Sequence, residues 1–255
     1  MIELKSPSQL EIMREAGQIV AEVLEELREE VKPGVTTLHL DEVALETILQ
    51  RGARPAFKGY RGYPKNICTS VNEEVVHGIP STRRLRPGDI VGLDVGVVLE
   101  GYYSDAAITV PVGDISREVA DLIAVTEQAL EKGIAMAKPN NRLSDISHAI
   151  QTEVESHGYS VVRDFVGHGI GTQLHESPQI PNYGEPGFGP VLQVGMVLAI
   201  EPMVNQGASA VEILSDGWTA VTKDRRWSAH FEHTVALTAM EPGVLTQCQK
   251  KKLSK

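Results

Sequence analysis

The chain has 255 residues, enough for one large domain or two small ones, and its 42% hydrophobic and 23% charged content suits an ordinary folded core. A formal net charge of −10 argues against direct DNA binding through a broad basic surface, although a local basic patch stays open. Cys68 and Cys248 form no CxxC motif, and the N-terminal stretch lacks an apolar signal core. We expect a cytoplasmic protein without membrane insertion.

Two helices are predicted at the start of the chain. Ser6-Pro7-Ser8-Gln9 combines a capping box with a proline in the first turn. Apolar residues then step by three and four from Leu10 to Val31, where Lys32-Pro33-Gly34 ends the helix. We interpret this stripe as core packing rather than as a partner surface. A second helix is predicted from about Thr37 to Gln50, and strands follow it.

The second half of the chain shows the same order of elements. Ser116 predicts the start of a third helix, which Pro139 ends, and Ser144 is predicted to cap a fourth. Strands are predicted near residues 160–168, 196–203, 218–223 and 229–238. The simplest assembly is an α+β fold in which two helix pairs cover one curved antiparallel sheet. The last residues, 249–255, are predicted to be a solvated end.

A predicted hairpin brings two aspartates to one face of the sheet. With Glu100-Gly101 as its two-residue loop, Asp105 lies opposite Gly96. Asp94 precedes Gly96 by two residues, so it points to the same face and lies diagonal to Asp105. Diagonal neighbours are roughly 7–8 Å apart, which lets two carboxylates share metal ions.

Glu201 and Glu232 repeat this arrangement in the second half. Asp94 follows a glycine in GDIVGLD and Glu201 follows one in GMVLAIE, and a His-Gly pair precedes each pair of acids. We interpret the pattern as a duplicated unit with a pseudo-twofold axis, in which residues 1–255 form one domain with halves of about 1–112 and 113–255. Chance similarity between short β segments is the alternative.

Four carboxylates and one imidazole are candidate metal ligands: Asp94, Asp105, His168, Glu201 and Glu232. Each acid alone could be a strand-end cap or a solvated residue, but IVGLDVGVV and MVLAIEPMV should be buried, and a buried acid needs a partner. Two divalent ions would balance the charge, and oxygen-rich ligands with one imidazole suit Mn, Fe, Co or Zn. His77 and His175 are candidates to hydrogen-bond a substrate, or are surface or structural histidines.

The segment FVGHGIGTQLHESPQIPNY (165–183) resembles the signature of type I methionine aminopeptidases. Residues 60–80, 93–105, 199–204 and 216–234 resemble the family's other blocks, in order, so the resemblance covers nearly the whole chain. It implies the pita-bread fold, a pseudo-twofold α+β domain that is catalytic as a whole. It also implies hydrolysis of the N-terminal methionine from new polypeptides when the next residue is small. The length resembles the short bacterial form, which has no zinc-binding N-terminal extension.

The resemblance also implies a role for each candidate residue. Asp94 chelates one metal, Asp105 and Glu232 bridge both, and His168 and Glu201 complete the other metal's shell. Glu201 takes the proton from the attacking water. His77 contacts the scissile amide and His175 the carbonyl oxygen. The methionine pocket is formed by residues whose types suit a thioether, namely Tyr60, Tyr63, Cys68 and Trp218, with Phe57 and Leu174 at its wall.

The sequence departs from the family at three positions. His230 stands where similar bacterial enzymes usually carry glutamine, and Phe57 and Leu174 are pocket positions that vary. Two alternatives stay open. A proline-specific aminopeptidase or prolidase resembles this catalytic half but usually carries an extra N-terminal domain, for which this chain leaves no room. A non-catalytic pita-bread binding module usually loses ligands that are present here.

The expected partners are nascent deformylated polypeptides, so the ribosome is expected to be a transient partner. Docking on RNA needs a local basic patch because the chain as a whole is acidic. Lys223, Arg225 and Arg226, in the loop TKDRRW, are the candidates for it. A solvated turn is the alternative interpretation of this loop.

Overall fold

A computed structural model describes residues 2–248 of the chain, so the predicted solvated end, residues 249–255, lies outside the described residues. Its four α-helices are α1 (Pro7–Glu30), α2 (Thr37–Gln50), α3 (Arg117–Met136) and α4 (Leu143–Ser156). Three of the predicted helix starts are confirmed. The Ser6 hydroxyl accepts from the Gln9 amide, and the Gln9 side chain accepts from the Ser6 amide, so the predicted capping box is present.

The predicted cap of the fourth helix is wrong. Helix α4 begins at Leu143, with Arg142 as the flanking residue, and Ser144 lies within the first turn. The Asp145 carboxylate accepts from the Arg142 amide at 2.7 Å, the reciprocal contact of a capping box, and the helix begins two residues earlier than a Ser144 cap would place it. The Ser144 hydroxyl instead accepts from the Phe188 amide at 2.7 Å and ties a neighbouring loop to the helix.

The strands are short except for two. They are β1 (Arg54–Pro55), β2 (Cys68–Val71), β3 (Glu74–Val76), β4 (Ile90–Leu99), β5 (Tyr102–Pro111), β6 (Ser160–Val161), β7 (Gly167–Gly169), β8 (Glu176–Ile180), β9 (Val197–Ile200), β10 (Met203–Asn205), β11 (Val211–Ile213), β12 (Ala220–Thr222), β13 (Ser228–His230), β14 (Glu232–Ala236) and β15 (Gly243–Val244). The long pair, β4 and β5, is the predicted hairpin with the predicted bounds.

The strands form three antiparallel sheets rather than the one sheet predicted. The nine-stranded sheet has the order β1-β4-β5-β14-β9-β7-β8, with β2 paired to β4 and β15 to β14. Two three-stranded sheets have the orders β13-β10-β6 and β11-β12-β3. The predicted strands near 196–203 and 229–238 are each divided between two sheets. The first breaks at Pro202, which has no N–H for the ladder, and the second at Phe231.

The helices cover one face of the nine-stranded sheet. Helix α1 packs on β4 and β5, and α3 packs against α4. Val20, Leu24 and Leu27 of α1 belong to one buried cluster with Leu93 and Val95 of β4, which confirms that the apolar stripe is core. No helix within residues 2–248 has the length and apolarity that crossing a bilayer requires. The α+β architecture leaves the other face of the central strands for polar side chains.

Candidate metal centre and substrate pocket

Two adjacent rows of residues, running across the strands, form the floor of the site. In the first row Asp94 pairs with Cys68 on one side and Ala107 on the other, and Ala107 pairs with Glu232. The second row is offset by two residues along each strand, and so shares the same face. It consists of Gly96, Asp105, Thr234, Ala199 and His168.

The hairpin geometry predicted for the two aspartates is confirmed. Asp105 pairs with Gly96, which places Asp94 on the same face and one diagonal away. Glu100 and Gly101 have φ values of 49° and 84°, the positive pair that a two-residue type I′ turn requires. The Phe57 ring occupies the space above Gly96. A Cβ there would lie 2.5 Å from the Phe57 ring, so only glycine leaves room for that ring.

The second pair of acids has a different register from the first. Ile200 pairs with His233, so the same register continued by one residue sets Glu201 directly opposite Glu232 rather than diagonal to it. Strands β4 and β5 are joined by a two-residue turn. Between β9 and β14, in contrast, the chain passes through β10 to β13, which belong to the two smaller sheets. A tight turn therefore sets the register only in the first half.

The carboxylates converge around His168. Ligand atoms of Asp105, His168 and Glu232 all lie within 4.8 Å of one another. His168 Nε2 is 3.7 Å from Asp105 Oδ2 and 3.6 Å from Glu201 Oε1. Thr234 Oγ1 donates to the Asp105 main-chain carbonyl at 2.7 Å and lies 3.1 Å from Asp105 Oδ1, which holds that side chain in place.

Burial of these acids sets their ionisation. Desolvation, together with neighbouring carboxylates, raises the pKa of Asp94 to about 7 and that of Glu201 to about 8. Desolvation also raises the pKa of Asp105 to about 7 and raises the pKa of Glu232. In the described part of the chain, the ion-pair partners of these acids are the imidazoles of His168 and His230. Such a cluster fits divalent metal, which would supply the positive charge that it lacks.

Every residue predicted for the site lines one cavity of about 170 Å³, and Arg61 lines it with them. The residues are Phe57, Tyr60, Tyr63, Cys68, His77, Asp94, Asp105, His168, Leu174, His175, Glu201, Trp218 and Glu232. The structure therefore brings the predicted set together, while the role of each residue stays a prediction.

An aromatic wall stands beside the acids. The rings of Tyr63 and Trp218 meet edge to face with centroids 5.1 Å apart. The buried Tyr63 hydroxyl lies 3.0 Å from the main-chain carbonyls of both Ile67 and Gly78, and its single proton can be donated to either. Burial raises the pKa of the Cys68 thiol, so Cys68 is a small apolar surface at physiological pH. The wall presents apolar surface to the cavity, because the Tyr63 hydroxyl is satisfied by main-chain carbonyls. Such a surface suits an unbranched apolar side chain.

His77 and His175 flank the cavity as neutral imidazoles. Desolvation lowers the pKa of His77 to about 4 and that of His175 to about 3. His77 has a φ of 61°, an uncommon conformation for a side chain with a Cβ. His175 Nδ1 lies 2.7 Å from the Tyr60 hydroxyl, and its ring centroid lies 4.2 Å from that of His168.

Two residues of the site escaped the sequence analysis. His230 was noted as a departure but given no place, and the structure sets its buried Nε2 at 3.7 Å from Glu201 Oε2. That nitrogen has no hydrogen-bond partner among the described residues, so Glu201 lies between two imidazoles. His230 lies two residues before Glu232 in an extended segment, and this spacing could have indicated that both side chains share one face. Arg61 carries no ligand pattern, and only its flanking glycines, Gly59 and Gly62, mark the segment.

Comparisons with known proteins agree with this geometry. Residues 11–239 match the sequence model of metallopeptidase family M24. The chain belongs to that family. It is 56% identical over 247 residues to methionine aminopeptidase 1 of Bacillus subtilis (strain 168), covering 97% of this chain and 100% of the relative. Membership of a metallopeptidase family supports the use of divalent metal by the acid cluster.

Solved structures of the family have the same fold. A crystal structure of methionine aminopeptidase from Thermotoga maritima superposes with a TM-score of 0.96 at 51% identity, covering 97% of this chain and 100% of that one. A prolidase from Pyrococcus furiosus superposes with a TM-score of 0.78 at 23% identity, covering 97% of this chain and 66% of that chain. The second likeness shows the fold alone. The predicted pita-bread fold is confirmed.

The metal-free protein should lose stability as the pH rises from about 7 to about 8.5. The unfolded chain has already ionised its acids there, whereas burial keeps part of the protons on Asp94, Asp105 and Glu201 in the folded state. The folded state then binds more protons than the unfolded state, so the free energy of unfolding falls with pH. Urea unfolding in EDTA at both pH values measures the change. His77 and His175 add little slope because they are neutral in both states.

A saturating divalent metal should remove this decrease, because its charge compensates the carboxylates and its binding stabilises the folded state. The double variant Asp94→Asn, Glu201→Gln should flatten the metal-free profile. The exposed pair Glu15→Gln, Glu131→Gln changes charge equally and should leave the slope unaltered. A metal-free stability that rises over this interval would contradict the raised pKa values.

Proposed function

We propose that the chain is a metal-dependent aminopeptidase that removes the N-terminal methionine from proteins when the second residue is small. One observation carries this conclusion: the buried acid cluster and the aromatic wall line the same cavity. The first can hold metal ions beside a chain terminus, and the second suits a methionine side chain. The methionine aminopeptidase relatives support the same substrate.

We propose two divalent ions in the cluster, bound by Asp94, Asp105, His168, Glu201 and Glu232, with Mn, Fe, Co and Zn as candidates. The donor set of oxygens and one imidazole supports these metals over thiolate-seeking ones. Bound there, divalent ions would lower the pKa of a coordinated water and so supply hydroxide near neutral pH. Asp105 and Glu232 occupy the central strands β5 and β14, which suits ligands shared between two ions.

Glu201 is the proposed general base. Its burial raises its affinity for a proton, and a carboxylate with a raised pKa can accept the proton of the attacking water near neutral pH. His168 beside one of its oxygens and His230 beside the other limit the directions in which its carboxylate can turn. These contacts support a fixed base rather than a mobile one.

The two neutral histidines are proposed to hold the scissile peptide group. If the Tyr60 hydroxyl donates to His175 Nδ1, the His175 proton resides on Nε2 and can be donated to the carbonyl oxygen as charge develops on it. His77 lines the same cavity beside Trp218, where it can contact the scissile amide. Both pKa values lie well below neutrality, so both histidines keep this neutral form at physiological pH.

The substrates proposed for the cell are nascent deformylated polypeptides, met in the cytoplasm and transiently at the ribosome. The loop that carries Lys223, Arg225 and Arg226 follows β12, whereas Trp218 precedes that strand, so the loop and Trp218 lie at opposite ends of β12. Arg225 also forms an ion pair with Glu212. The Asn72–Glu74 turn contacts both this loop, through the Thr222 amide, and Arg83, which is paired with Glu74. We further propose one catalytic domain, with halves of about 1–112 and 113–255.

Glu201→Gln should lower the turnover of Met-Ala-Ser at least about a hundredfold, the range of a general acid–base group. The substitution removes the proton acceptor while keeping the shape of the side chain. Asp105→Asn should lose bound metal as well as rate, and metal analysis after dialysis separates the two effects. The exposed Glu15→Gln serves as the control. Near-normal turnover by the Glu201 variant would exclude the proposed base.

Initial rates on a peptide panel, with Mn, Fe, Co and Zn added separately, test the function itself. Peptides with Gly, Ala, Ser, Thr, Pro, Val or Cys after methionine should be cleaved, because a short side chain fits beside the metals. Met-Lys, Met-Leu and formyl-Met peptides should resist, the last because the formyl group removes the free amine. Efficient cleavage of formyl-Met-Ala would refute the proposal, and cleavage of Ala-Pro-Ala instead would favour a proline-specific enzyme.

Charge reversal at Lys223, Arg225 and Arg226 should weaken cosedimentation with ribosomes while tripeptide hydrolysis stays unchanged. Phosphate contacts predict that wild-type binding falls steeply with salt. Reversal of the exposed Arg28, Arg117 and Lys132 gives a matched change in net charge. Unaltered cosedimentation of the loop variant would move the docking surface elsewhere on the protein.

A further inference from the structure

Arg61 lies at the opening of the cavity in an uncommon backbone conformation. Its φ and ψ are 48° and 23°, in the left-handed region, and Gly59 and Gly62 on either side have φ values of 85° and 91°. An arginine in this region carries a conformational cost that a glycine would not, and such residues concentrate at functional sites. Residues Tyr60–Gly62 form a short 3-10 turn, and Arg61 lies on the lining of the cavity.

The guanidinium of Arg61 packs on a tyrosine that contacts one of the two histidines proposed to bind the substrate. It lies over the ring of Tyr60, 5.4 Å from the centroid. The Tyr60 hydroxyl in turn contacts His175 Nδ1, the imidazole assigned to the substrate carbonyl. The charge of Arg61 is close enough to contribute to the lowered pKa of His175, after desolvation and His168. Arg61 is therefore placed just outside the position of the scissile bond.

Two further cations continue from Arg61 along the surface. A second cavity, of about 440 Å³, shares the Tyr60 side chain with the metal-binding cavity and is lined by Arg54 and Lys58. The rest of its lining is neutral: Leu45, Pro55, Ala56, Tyr60, Asn66, Val98 and Tyr103. Tyr60 thus separates a deep acidic chamber from an outer groove whose charged residues are all basic.

The three cations lack acidic partners. Among residues 2–248, Arg54, Lys58 and Arg61 form no ion pair, and all three are exposed. Some other exposed arginines do form ion pairs, as Arg51 does with Glu22 and Arg83 with Glu74. In a chain with a net charge of −10, three unpaired cations around one groove are a local reversal of sign. Unpaired cations favour a ligand that brings carboxylates.

We propose that Arg54, Lys58 and Arg61 form a subsite for the substrate chain beyond the second residue, and that this subsite selects acidic side chains there. The inference rests on the proposed function, because the peptide must leave the cavity past Tyr60 once its first residue is held inside. Arg61 meets the chain first, and Arg54 and Lys58 meet the residues that follow. The subsite makes the enzyme selective at positions that the methionine pocket does not contact.

Matched peptides test the subsite through a ratio of rates. Met-Ala-Asp-Asp-Gly-Gly and Met-Ala-Asn-Asn-Gly-Gly have the same shape and differ in charge. The acidic peptide should have a kcat/KM about threefold to tenfold higher at low salt, the range expected for one or two exposed charge pairs. The advantage should shrink towards one at high ionic strength, because the contacts are exposed and screened. Equal kcat/KM values at low salt would overturn the proposal.

Charge reversal assigns the preference to these residues. The triple variant Arg54→Glu, Lys58→Glu, Arg61→Glu should bring the acidic-to-amide ratio below one and favour Met-Ala-Lys-Lys-Gly-Gly. The variant Arg28→Glu, Arg117→Glu, Lys132→Glu changes net charge equally on exposed helix surfaces and should keep the wild-type ratio. If this remote variant also lost the preference, overall charge rather than the groove would be responsible. A triple change to glutamine replaces the reversal if that variant unfolds, and its ratio should approach one.

A binding measurement separates this inference from the proposed function. Calorimetric titration of the two peptides into metal-loaded Glu201→Gln protein compares affinities without turnover. A lower Kd for the acidic peptide supports the subsite, and equal Kd values refute it. Absence of hydrolysis of the amide peptide with every metal would instead refute the aminopeptidase activity, while the ratio of Kd values still decides the subsite.

Discussion

Mutual repulsion among buried carboxylates is the constraint on which this structure depends. Four acids occupy one face of the central strands, and burial raises the pKa of each of them. Two imidazoles offset only part of the charge, since His230 is itself disfavoured as a cation by its burial, which lowers its pKa. The fold must therefore hold the acids together against their own repulsion until a cation binds. That restraint comes from the backbone of the strands and from the helices that pack on their opposite face.

The sheet register converts this restraint into geometry. The central pair β5 and β14 carries Asp105 and Glu232, so the two most central ligands come from strands that are adjacent in space and distant in sequence. Thr234 fastens Asp105 across that pair through its hydroxyl, and the Asp105 amide donates back to it at 3.1 Å. A slip of one residue between these strands would turn the ligand of the shifted strand to the helix-covered face. The site and the core packing therefore stabilise the same register.

Local rules predicted the first half of the site and could not predict the second. A two-residue turn with positive φ at Glu100 and Gly101 fixes the pairing of Asp94's strand with Asp105's, so counting residues was sufficient. No short turn links Glu201 to Glu232, and their register follows from tertiary packing, which is why the repeated spacing suggested a diagonal that is not there. Ser144 is not the cap because the Asp145 carboxylate accepts from the Arg142 amide and the helix already begins at Leu143. The residue roles came from the family resemblance. His230 and Arg61 depend on neighbours brought by other strands or on strained backbone, which no local pattern encodes.

The distribution of charge also explains why the cavity should act on chain ends. Its floor is closed by the sheet, and the acids lie there, whereas Arg61 stands at the opening. A free α-amino group is the only cationic part of a peptide backbone, and it meets carboxylate oxygens at the floor rather than the Arg61 guanidinium at the opening. An internal segment of a polypeptide would have to pass two strands of chain by Tyr60 and would bring no amine to the floor. The placement of acids at the floor and of a cation at the opening therefore favours an N-terminus inside the cavity. The aromatic wall beside the acids then selects which side chain that N-terminus carries.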